Sequence, residues 1–256
     1  MFALERQKRI LEILKADGAV WVSRLALDLG VTEETIRRDL EKLETQEALI
    51  RTHGGAIPID EKVYELSFEK RKKAHADIKE KLAAEAVKHI LPWDTVFLDA
   101  STTTFYMAKE IKKLDNVTVI TNSARIISEL CGAERVKVIG VGGILSQNQS
   151  FVGSLAERTV ADCYYANKMF FSSKGIMDNA WLLEGNEQEC AIKQQMLNNA
   201  EEKYFMCDKS KIGRIGYVKL GPISVMDYFI TEGEPDAALL ARLDEHKIQT
   251  ICVETA

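Results

Sequence analysis

The sequence lacks any run of about 18 apolar residues, so it predicts no helix that crosses a bilayer. Its opening residues, Met1 to Arg6, lack the apolar core of a signal peptide, and we therefore expect a cytoplasmic protein. Glycine and proline number only 15 and 4 among 256 residues, too few for a fibrous or disordered chain. Because 46% of the residues are hydrophobic, the chain can form a sizeable core, in one large domain or in a small and a medium one.

Cysteine and histidine are scarce and scattered. The five cysteines lie far apart, at Cys131, Cys163, Cys190, Cys207 and Cys252. No C-x-x-C pair occurs, so we expect reduced core residues and neither a zinc knuckle nor a redox dithiol. The four histidines do not fall at metal-ligand spacing: His53, His75, His89 and His246. We therefore expect no bound metal and no cofactor.

Positive charge is also in short supply. The formal net charge is −5, with 34 lysines and arginines against 39 aspartates and glutamates. A DNA-binding protein usually has a basic surface, so this charge argues mildly against a nucleic-acid-binding function. The argument does not hold if a small DNA-binding domain is joined to a larger acidic domain. In residues 1–57 the charges nearly cancel, and the interpretation depends on where single basic residues lie.

Residues 4–46 have the pattern of three helices separated by short turns. The first predicted helix ends at Gly18, because glycine just past a helix end accepts the left-handed backbone. Ser23 is the expected N-cap of a second helix that ends at Gly30, and Thr32 is the expected N-cap of a third. Helix, short glycine turn and helix together predict a helix-turn-helix.

The exposed face of the third helix carries Arg37 and Arg38, which point about 100° apart, so one can reach a base edge and the other a phosphate. Residues 48–56 then combine strand-forming residues with a glycine pair, as a β-wing would, and place Arg51 and His53 towards the DNA backbone. The predicted DNA contacts are Ser23, Thr32, Thr35, Arg37, Arg38, Lys42, Arg51, His53 and Gly54. The alternative is a small helical domain whose arginines are merely solvated.

Residues 58–67 are polar and aperiodic, which indicates a linker. A helical pattern follows from Phe68 to about Leu91, where Pro92 ends it, and we interpret its charged residues as a solvated face. The predicted domains are the winged helix-turn-helix of residues 1–57, a linker of residues 58–74 and a larger domain of residues 75–256.

From residue 95 onward, short apolar runs alternate with helical patterns. The expected strands are 95–99, 117–121, 136–141, 169–172, 204–207, 228–231 and 250–253. The expected helices are 103–114, 124–130, 187–200 and 237–246. This alternation predicts an α/β domain with a largely parallel sheet, whose ligands bind beyond the carboxyl ends of the strands.

Polar residues follow four of these strands. Hydroxyls and backbone N–H groups at a helix N-terminus form an anion-binding site, and its usual ligand is phosphate. A glycine pair lets the backbone approach a ligand closely. The ligand contacts predicted at the strand ends are Asp99, Ser101, Thr102, Thr103, Thr104, Thr121, Asn122, Ser123, Gly142, Gly143, Asp208 and Lys211. Each loop alone is more often a helix cap, but together they predict a small, polyhydroxylated, phosphorylated ligand. The G-x-G-x-x-G spacing of a dinucleotide site is absent.

One string in the first domain is more specific than its charges. Val31-Thr32-Glu33-Glu34-Thr35-Ile36-Arg37-Arg38-Asp39-Leu40, followed by Arg51-x-His53-Gly54-Gly55-Ala56, closely resembles the signature of the DeoR family of transcriptional repressors. The resemblance continues over nearly all of the chain. Three positions depart from it: Glu47 and Ser101 stand where the family commonly has glycine, and Glu232 where it usually has aspartate.

The resemblance implies a winged helix-turn-helix followed by an effector domain with the phosphosugar-isomerase fold typified by ribose-5-phosphate isomerase. It also implies that Ser101 to Thr104 cradle the phosphate of the effector. Asn122, Lys174 and Lys211 would then lie near the sugar. The Ser101 loop and residues 150–153 resemble a subgroup tied to deoxyhexose catabolism, such as that of rhamnose or fucose.

An active isomerase is the main alternative. Moving a proton between sugar carbons needs a general base, and isomerases of this fold carry aspartates in a central run where this chain has Phe171 to Ile176, with Asp178 only nearby. Glu187, Glu189 and Lys193 are candidates for contacting sugar hydroxyls, or the glutamates simply favour a helix start. We expect binding without turnover. A protein without a ligand would leave the polar strand ends unexplained.

Taken together, these patterns predict a DNA-binding repressor of a sugar-catabolic operon, controlled by a phosphorylated sugar. A symmetric oligomer places its DNA-binding domains symmetrically. We therefore expect a dimer or tetramer that binds double-stranded operator DNA with paired half-sites. Whether the sugar phosphate acts as inducer or corepressor is left open.

Overall fold

The computed structural model describes residues 2–59, 66–177 and 180–254. The chain divides into two compact units, Met1–Ser67 and Phe68–Ala256. This division falls inside the predicted linker of residues 58–74, of which residues 60–65 lie outside the described residues. The domain limits given above stay a prediction.

The first unit is a winged helix-turn-helix. Its elements are α1 (Ala3–Asp17), β1 (Val20–Trp21), α2 (Val22–Leu29), α3 (Glu33–Thr45), β2 (Ile50–Thr52) and β3 (Gly55–Ile57). Within the described ranges its three strands form an antiparallel sheet in the order β1-β3-β2. Leu25, Ile36, Leu40 and Leu43 are buried in one apolar cluster, as the periodicity predicts.

The predicted N-caps of the first unit have different outcomes. Thr32 caps α3, because its Oγ1 accepts a hydrogen bond from the N–H of Thr35 at 3.3 Å. The prediction for Ser23 is wrong: α2 already begins at Val22. Strand β1 runs directly into this helix, and the N–H of Val22 donates to the carbonyl of Gly54 at 2.9 Å. A wing contact thus satisfies a helix N–H group near the helix start.

The second unit contains the remaining elements of the chain. Its helices are α4 (Phe68–Lys73), α5 (Ala76–Val87), α6 (Thr102–Ile111), α7 (Ala124–Leu130), α8 (Ser154–Cys163), α9 (Glu187–Asn198) and α10 (Ala237–Glu245). Its strands are β4 (Thr95–Leu98), β5 (Val117–Thr121), β6 (Val136–Gly140), β7 (Ile144–Leu145), β8 (Phe151–Val152), β9 (Ala166–Phe171), β10 (Gly175–Ile176), β11 (Trp181–Glu184), β12 (Ala200–Cys207), β13 (Val218–Pro222), β14 (Tyr228–Glu232) and β15 (Gln249–Val253). Single 3₁₀ turns lie at Lys209–Lys211 and Ile223–Val225.

The main sheet of the described residues has seven parallel strands in the order β15-β14-β12-β9-β4-β5-β6. Successive strand residues alternate between two apolar cores, since Phe97 packs with α8, α9 and α10 whereas Val96 and Leu98 pack with α5, α6 and α7. The α/β prediction with a winged helix-turn-helix is confirmed. Because all seven strands are parallel, their carboxyl ends lie at one edge.

Several elements differ from the sequence patterns. The predicted helix from Phe68 to Leu91 is two helices, interrupted at His75, whose φ is +52°, and the second helix ends at Val87. Helix α8 and the short strands β7, β8, β10, β11 and β13 were not predicted. Strands β7, β8 and β10 have only two residues each, too few for an alternation to stand out.

Candidate functional site

Helix α3 presents two arginines, each already paired with a carboxylate. Arg37 Nη2 lies 2.9 Å from Glu33 Oε2, and Arg38 Nε lies 3.2 Å from Glu34 Oε1, both one helical turn away. All four side chains are about half exposed or more. Exposed pairs of this kind are weak, so a DNA phosphate can replace the carboxylate as the partner of either arginine.

The wing lies beside this helix and is tied to it by Arg51. Its Nε lies 2.9 Å from Glu44 Oε2, and its N–H donates to Glu44 Oε1 at 3.0 Å. His53 and Gly54 are exposed in the turn between β2 and β3. Helix α3 and the wing thus bring together most of the predicted DNA contacts, while Ser23 is exposed in the first turn of α2.

Glu47, which stands where the family commonly has glycine, takes the left-handed conformation with φ of +51°. Its carboxylate accepts from the N–H of Ser67 at 3.0 and 3.2 Å. The substitution therefore keeps the turn after α3 and adds a contact to the last residue of the first unit.

Asp99 organises the loop that follows β4. Its Oδ1 accepts from the N–H of Ser101 at 3.1 Å and from the hydroxyl of Thr104 at 2.8 Å. Its Oδ2 accepts from the N–H of Ser172 at 3.1 Å and lies 2.8 Å from Lys193 Nζ. Burial alone would raise the pKa of Asp99, but the Lys193 ammonium and the hydrogen bonds hold it below its ordinary value.

The first turn of α6 is buried and rich in hydroxyls. Ser101 is its N-cap and accepts from the N–H of Thr104 at 3.3 Å. Thr102 and Thr103 are also buried. The Oγ1 of Thr103 has no hydrogen-bond partner among the described residues. This hydroxyl, at the N-terminus of a helix, is therefore free to bond an anion at that position.

The loop after β5 is fixed by its own hydrogen bonds. Thr121 Oγ1 accepts from the N–H of Ser123, whose Oγ in turn accepts from the N–H of Ile126 in α7. Asn122 Nδ2 donates to the carbonyl of Phe151 at 3.0 Å, and the N–H of Phe151 donates to the carbonyl of Asn122 at 2.7 Å. This loop therefore holds β8 next to the strand ends.

The glycine pair after β6 has two different environments. A Cβ on Gly143 would lie 2.7 Å from the carbonyl oxygen of Val152 and 3.0 Å from Cβ of Ala156, so packing alone requires glycine there. A Cβ on Gly142 would meet nothing within 4 Å. Of the two, Gly142 is the position where backbone faces open space.

Lys193 lies beneath the strand ends, in a cluster with two carboxylates. Its ammonium contacts Asp99, Glu184 and the carbonyl of Ser172, the last at 2.5 Å. Burial alone would lower the pKa of Lys193, but the carboxylates raise it. For Glu184 burial outweighs the ammonium and raises the pKa. All three protons of Lys193 are used, so it positions the loops.

The loop after β12 contains two further charged residues that the sequence predicts as ligand contacts, Asp208 and Lys211. Lys211 Nζ donates to Ser172 Oγ at 2.6 Å. Asp208 is buried and accepts from the hydroxyl of Ser210. Burial alone would raise the pKa of Asp208, but Lys211, the Ser210 hydroxyl and Lys79 lower it.

Two predicted contacts lie at the side of this cluster. Glu189 Oε1 accepts from the hydroxyl of Ser150 at 2.7 Å, and the N–H of Glu189 donates to Asn186, the N-cap of α9. Lys174 follows β9, and its N–H donates to the carbonyl of Leu183 at 3.0 Å.

Three residues at the site were missed by sequence reasoning. Ser172 follows β9 and could have been found by the same strand-end rule. Glu184 and Lys79 carry no such signal, because each looks like an ordinary charged residue until the fold buries it. The prediction that the charged connector is a solvated face is wrong at Lys79, which is 3% exposed.

Two features are absent from the ranges that the structure describes. No group of three or more His, Cys, Asp and Glu side chains is placed to hold a metal ion. No helix among these residues is long and apolar enough to cross a membrane. All five cysteines lie in the described ranges as free thiols, but only Cys190 and Cys207 are buried. The prediction of core residues is wrong for the other three, Cys131, Cys163 and Cys252, which are exposed.

Comparison with known proteins identifies both units. Residues 6–62 match the DeoR-like helix-turn-helix domain, and residues 74–233 match the DeoR C-terminal sensor domain. The chain is 38% identical to an uncharacterized HTH-type transcriptional regulator, YulB, of Bacillus subtilis, over 99% of this chain and 98% of that protein. It is 31% identical to the L-fucose operon activator of Haemophilus influenzae (96% and 98% covered) and 28% identical to the glycerol-3-phosphate regulon repressor of Escherichia coli (96% and 97% covered).

Among solved structures, a D-ribose-5-phosphate isomerase in complex with phospho-erythronic acid overlaps with 54% of this chain and 54% of its own, at a TM-score of 0.41 and 12% identity. Translation factor eIF2B delta of Chaetomium thermophilum overlaps with 61% of this chain and 56% of its own, at a TM-score of 0.45 and 13% identity. Similarity at this level carries no conclusion about activity. The matches to both domain families and to full-length relatives confirm the resemblance read from the α3 string: the chain belongs to the DeoR family of helix-turn-helix transcriptional regulators.

Proposed function

We propose that this regulator represses a sugar-catabolic operon and that a phosphorylated sugar, bound at the carboxyl ends of the parallel sheet, controls its DNA binding. The observation that carries the proposal is the buried hydroxyl of Thr103, which has no partner among the described residues. An unsatisfied buried polar group costs free energy, and the N-terminus of α6 favours an anion. A phosphate oxygen supplies both the missing acceptor and the negative charge.

The names of the relatives support a sugar-related role. One acts on a fucose operon and another on the glycerol-3-phosphate regulon. The first is an activator and the second a repressor, so repression by this chain belongs to the proposal. The fucose relative also favours including deoxyhexose phosphates among the candidate effectors.

The regulator would bind its effector without converting it. A general base must be available to take a proton from the sugar. Around the strand ends, Asp99 and Glu184 share the ammonium of Lys193, and Asp208 accepts from Ser210. Carboxylates held in this way position loops, which suits a sensor better than an isomerase.

A homo-oligomer, a dimer or tetramer, would bind double-stranded operator DNA in the cytoplasm. Several large apolar side chains of the second unit are more than half exposed, including Ile144, Leu155, Tyr165 and Tyr217. Exposed apolar residues favour association when they form a patch. Sedimentation of the purified chain tests this part of the proposal.

The decisive experiment is a thermal-shift screen against a panel of sugar phosphates that includes those of fucose, rhamnose and glucose. A ligand that binds only the folded chain raises its melting temperature. Thr103→Val should abolish the shift while the variant still binds DNA, because the Thr103 hydroxyl has no partner to lose among the described residues. Thr118→Val is the control and should keep the full shift, since Thr118 lies near the amino end of β5, at the opposite edge of the sheet.

Two results would contradict the proposal. If no panel member raises the melting temperature, the chain does not bind these sugar phosphates. If Thr103→Val keeps the full shift, the ligand binds elsewhere. Conversion of several of the sugar phosphates by the purified chain would favour the isomerase alternative instead.

A further inference from the structure

Helix α4, the first helix of the second unit, is fixed on the two loops assigned to the ligand. The buried ring of Phe68 meets Phe105 of α6 edge-on, with 5.7 Å between ring centroids. The guanidinium of Arg125, in the first turn of α7, lies 4.0 Å from the centroid of the Phe68 ring. Tyr106 of α6 donates its hydroxyl to the carbonyl of Lys72 at 3.0 Å. The N-terminal halves of α6 and α7 thus hold α4 close to the loops that precede them.

The end of α4 is held by a buried lysine. Lys79 of α5 is 3% exposed, and its Nζ donates to the carbonyl of Arg71 at 2.9 Å and to the carbonyl of Ala74. An ammonium has three protons to donate, and these two bonds use two of them. Among the described residues, the lysine therefore binds the last turn of α4 and keeps one donor for a further partner.

Lys79 also lies within electrostatic reach of the strand end after β12. Burial lowers its pKa to about 8, the carboxylate of Asp208 opposes this, and Lys211 lowers it further. Hydrogen bonds join Lys79 to the end of α4, and the Tyr106 hydroxyl joins α4 to the first half of α6, next to its hydroxyl-rich first turn. An anion bound at the strand ends would be attracted by this ammonium.

We propose that the connector of α4 and α5 is part of the effector site, and that the ammonium of Lys79 binds the ligand directly while holding the end of α4. This inference rests on the proposed function and adds a residue from the connector to the ligand contacts. Helix α4 begins directly after Ser67, whose N–H is bound by Glu47 in the turn that follows the recognition helix α3. Ligand binding and the chain segment that leads to the DNA reader would therefore be coupled.

The test measures binding of inorganic phosphate, and of the sugar phosphates of the panel, to the full chain by calorimetry. Lys79→Met should weaken binding about tenfold or more, whereas Lys79→Arg, which keeps the charge, should recover part of it. Lys73→Met, an exposed residue at the end of α4, should change affinity less than about twofold. Binding of Lys79→Met to duplex DNA without ligand should stay within about threefold of wild type.

A second measurement uses only the wild-type chain, so it stands even if Lys79→Met fails to fold. Backbone amides of residues 68–79 should exchange hydrogen more slowly once the ligand is bound. Unchanged exchange there overturns the inference, as does wild-type affinity in Lys79→Met when Thr103→Val has lost binding. If the wild-type chain binds neither phosphate nor any panel member, the proposed function itself fails.

Discussion

Lys193 is the residue on which the strand-end loops converge. Its ammonium is shared by Asp99 and Glu184, which lie 94 and 9 residues away in the chain, and it also binds the carbonyl of Ser172. The cluster contains two carboxylates and one ammonium, so taking the ammonium away would leave two buried negative groups facing each other. Two unpaired buried carboxylates would destabilise the fold, because the protein interior does not replace the hydration that they lose on burial.

At this residue we predict a large loss of stability. Lys193→Met should lower the free energy of unfolding by about 3–5 kcal/mol, the range for breaking a buried ion pair. Urea unfolding followed by circular dichroism measures it. The matched control is Lys113→Met, which removes an exposed lysine paired with Glu110 and should stay within about 0.5 kcal/mol of wild type. A loss below about 1 kcal/mol at Lys193 would mean that the cluster holds little of the fold.

Within a single element, helix α3, the same two carboxylates stabilise the helix and oppose the binding of DNA. Glu33 and Glu34 lie in its first turn, where the helix dipole favours negative charge, and each pairs with an arginine one turn later. The same carboxylates would oppose DNA phosphates. The arginines predicted to contact DNA are thus partly neutralised by their own helix.

Removing one of these carboxylates should therefore strengthen DNA binding. Glu33→Gln removes a negative charge beside Arg37, and affinity for duplex DNA should rise by about threefold to fivefold, equivalent to a surface pair of roughly 0.7–1 kcal/mol. Fluorescence anisotropy at low and at physiological ionic strength measures the change, which should shrink with salt.

Glu12→Gln is the control for that experiment. It removes a similarly exposed carboxylate that pairs with Arg9 on α1, outside the predicted DNA contacts. The two variants should differ clearly. Equal effects of both would indicate a general charge effect, and weaker binding by Glu33→Gln would show that the carboxylate orients Arg37 for DNA.

At the scale of the whole molecule, stability should depend on pH through Lys79. Its pKa in the folded chain is lowered from 10.5 to about 8, chiefly by burial. Between these values the unfolded chain binds more protons than the folded one, so this contribution to stability rises with pH in that window. The charged groups that set the value are Asp208, which opposes the shift, and Lys211, Arg71 and Arg214, which add to it.

The expected measurement is a difference between two proteins. The free energy of unfolding of wild type minus that of Lys79→Met should increase from pH 7 to pH 9. Burial raises the pKa of Cys207, which acts in the opposite direction, but that thiol is common to both proteins and its effect largely cancels. A difference that is flat or falls with pH would contradict the lowered pKa.

The parallel sheet decides which distant loops meet. Its carboxyl edge brings the loop of residues 99–104 to Ser172 and Lys193, and Ser172 to Lys211. Since each strand ends at this edge, one topological rule located most of these loops in advance. The contacts between the loops, and hence which side chains already have hydrogen-bond partners, depend on the tertiary structure.

The winged helix-turn-helix, the α/β alternation and the polar loops could be predicted from the sequence, because they follow from local periodicity, capping and turn chemistry. Thr32 capped α3 as expected, whereas Ser23 did not cap α2, since the N–H of Val22 is bound by a residue of the wing. It is the folded chain that buries Lys79, pairs Glu184 with Lys193 and leaves Thr103 without a partner among the described residues. Burial and pairing depend on elements far apart in the chain, and charged residues look alike until the fold brings those elements together.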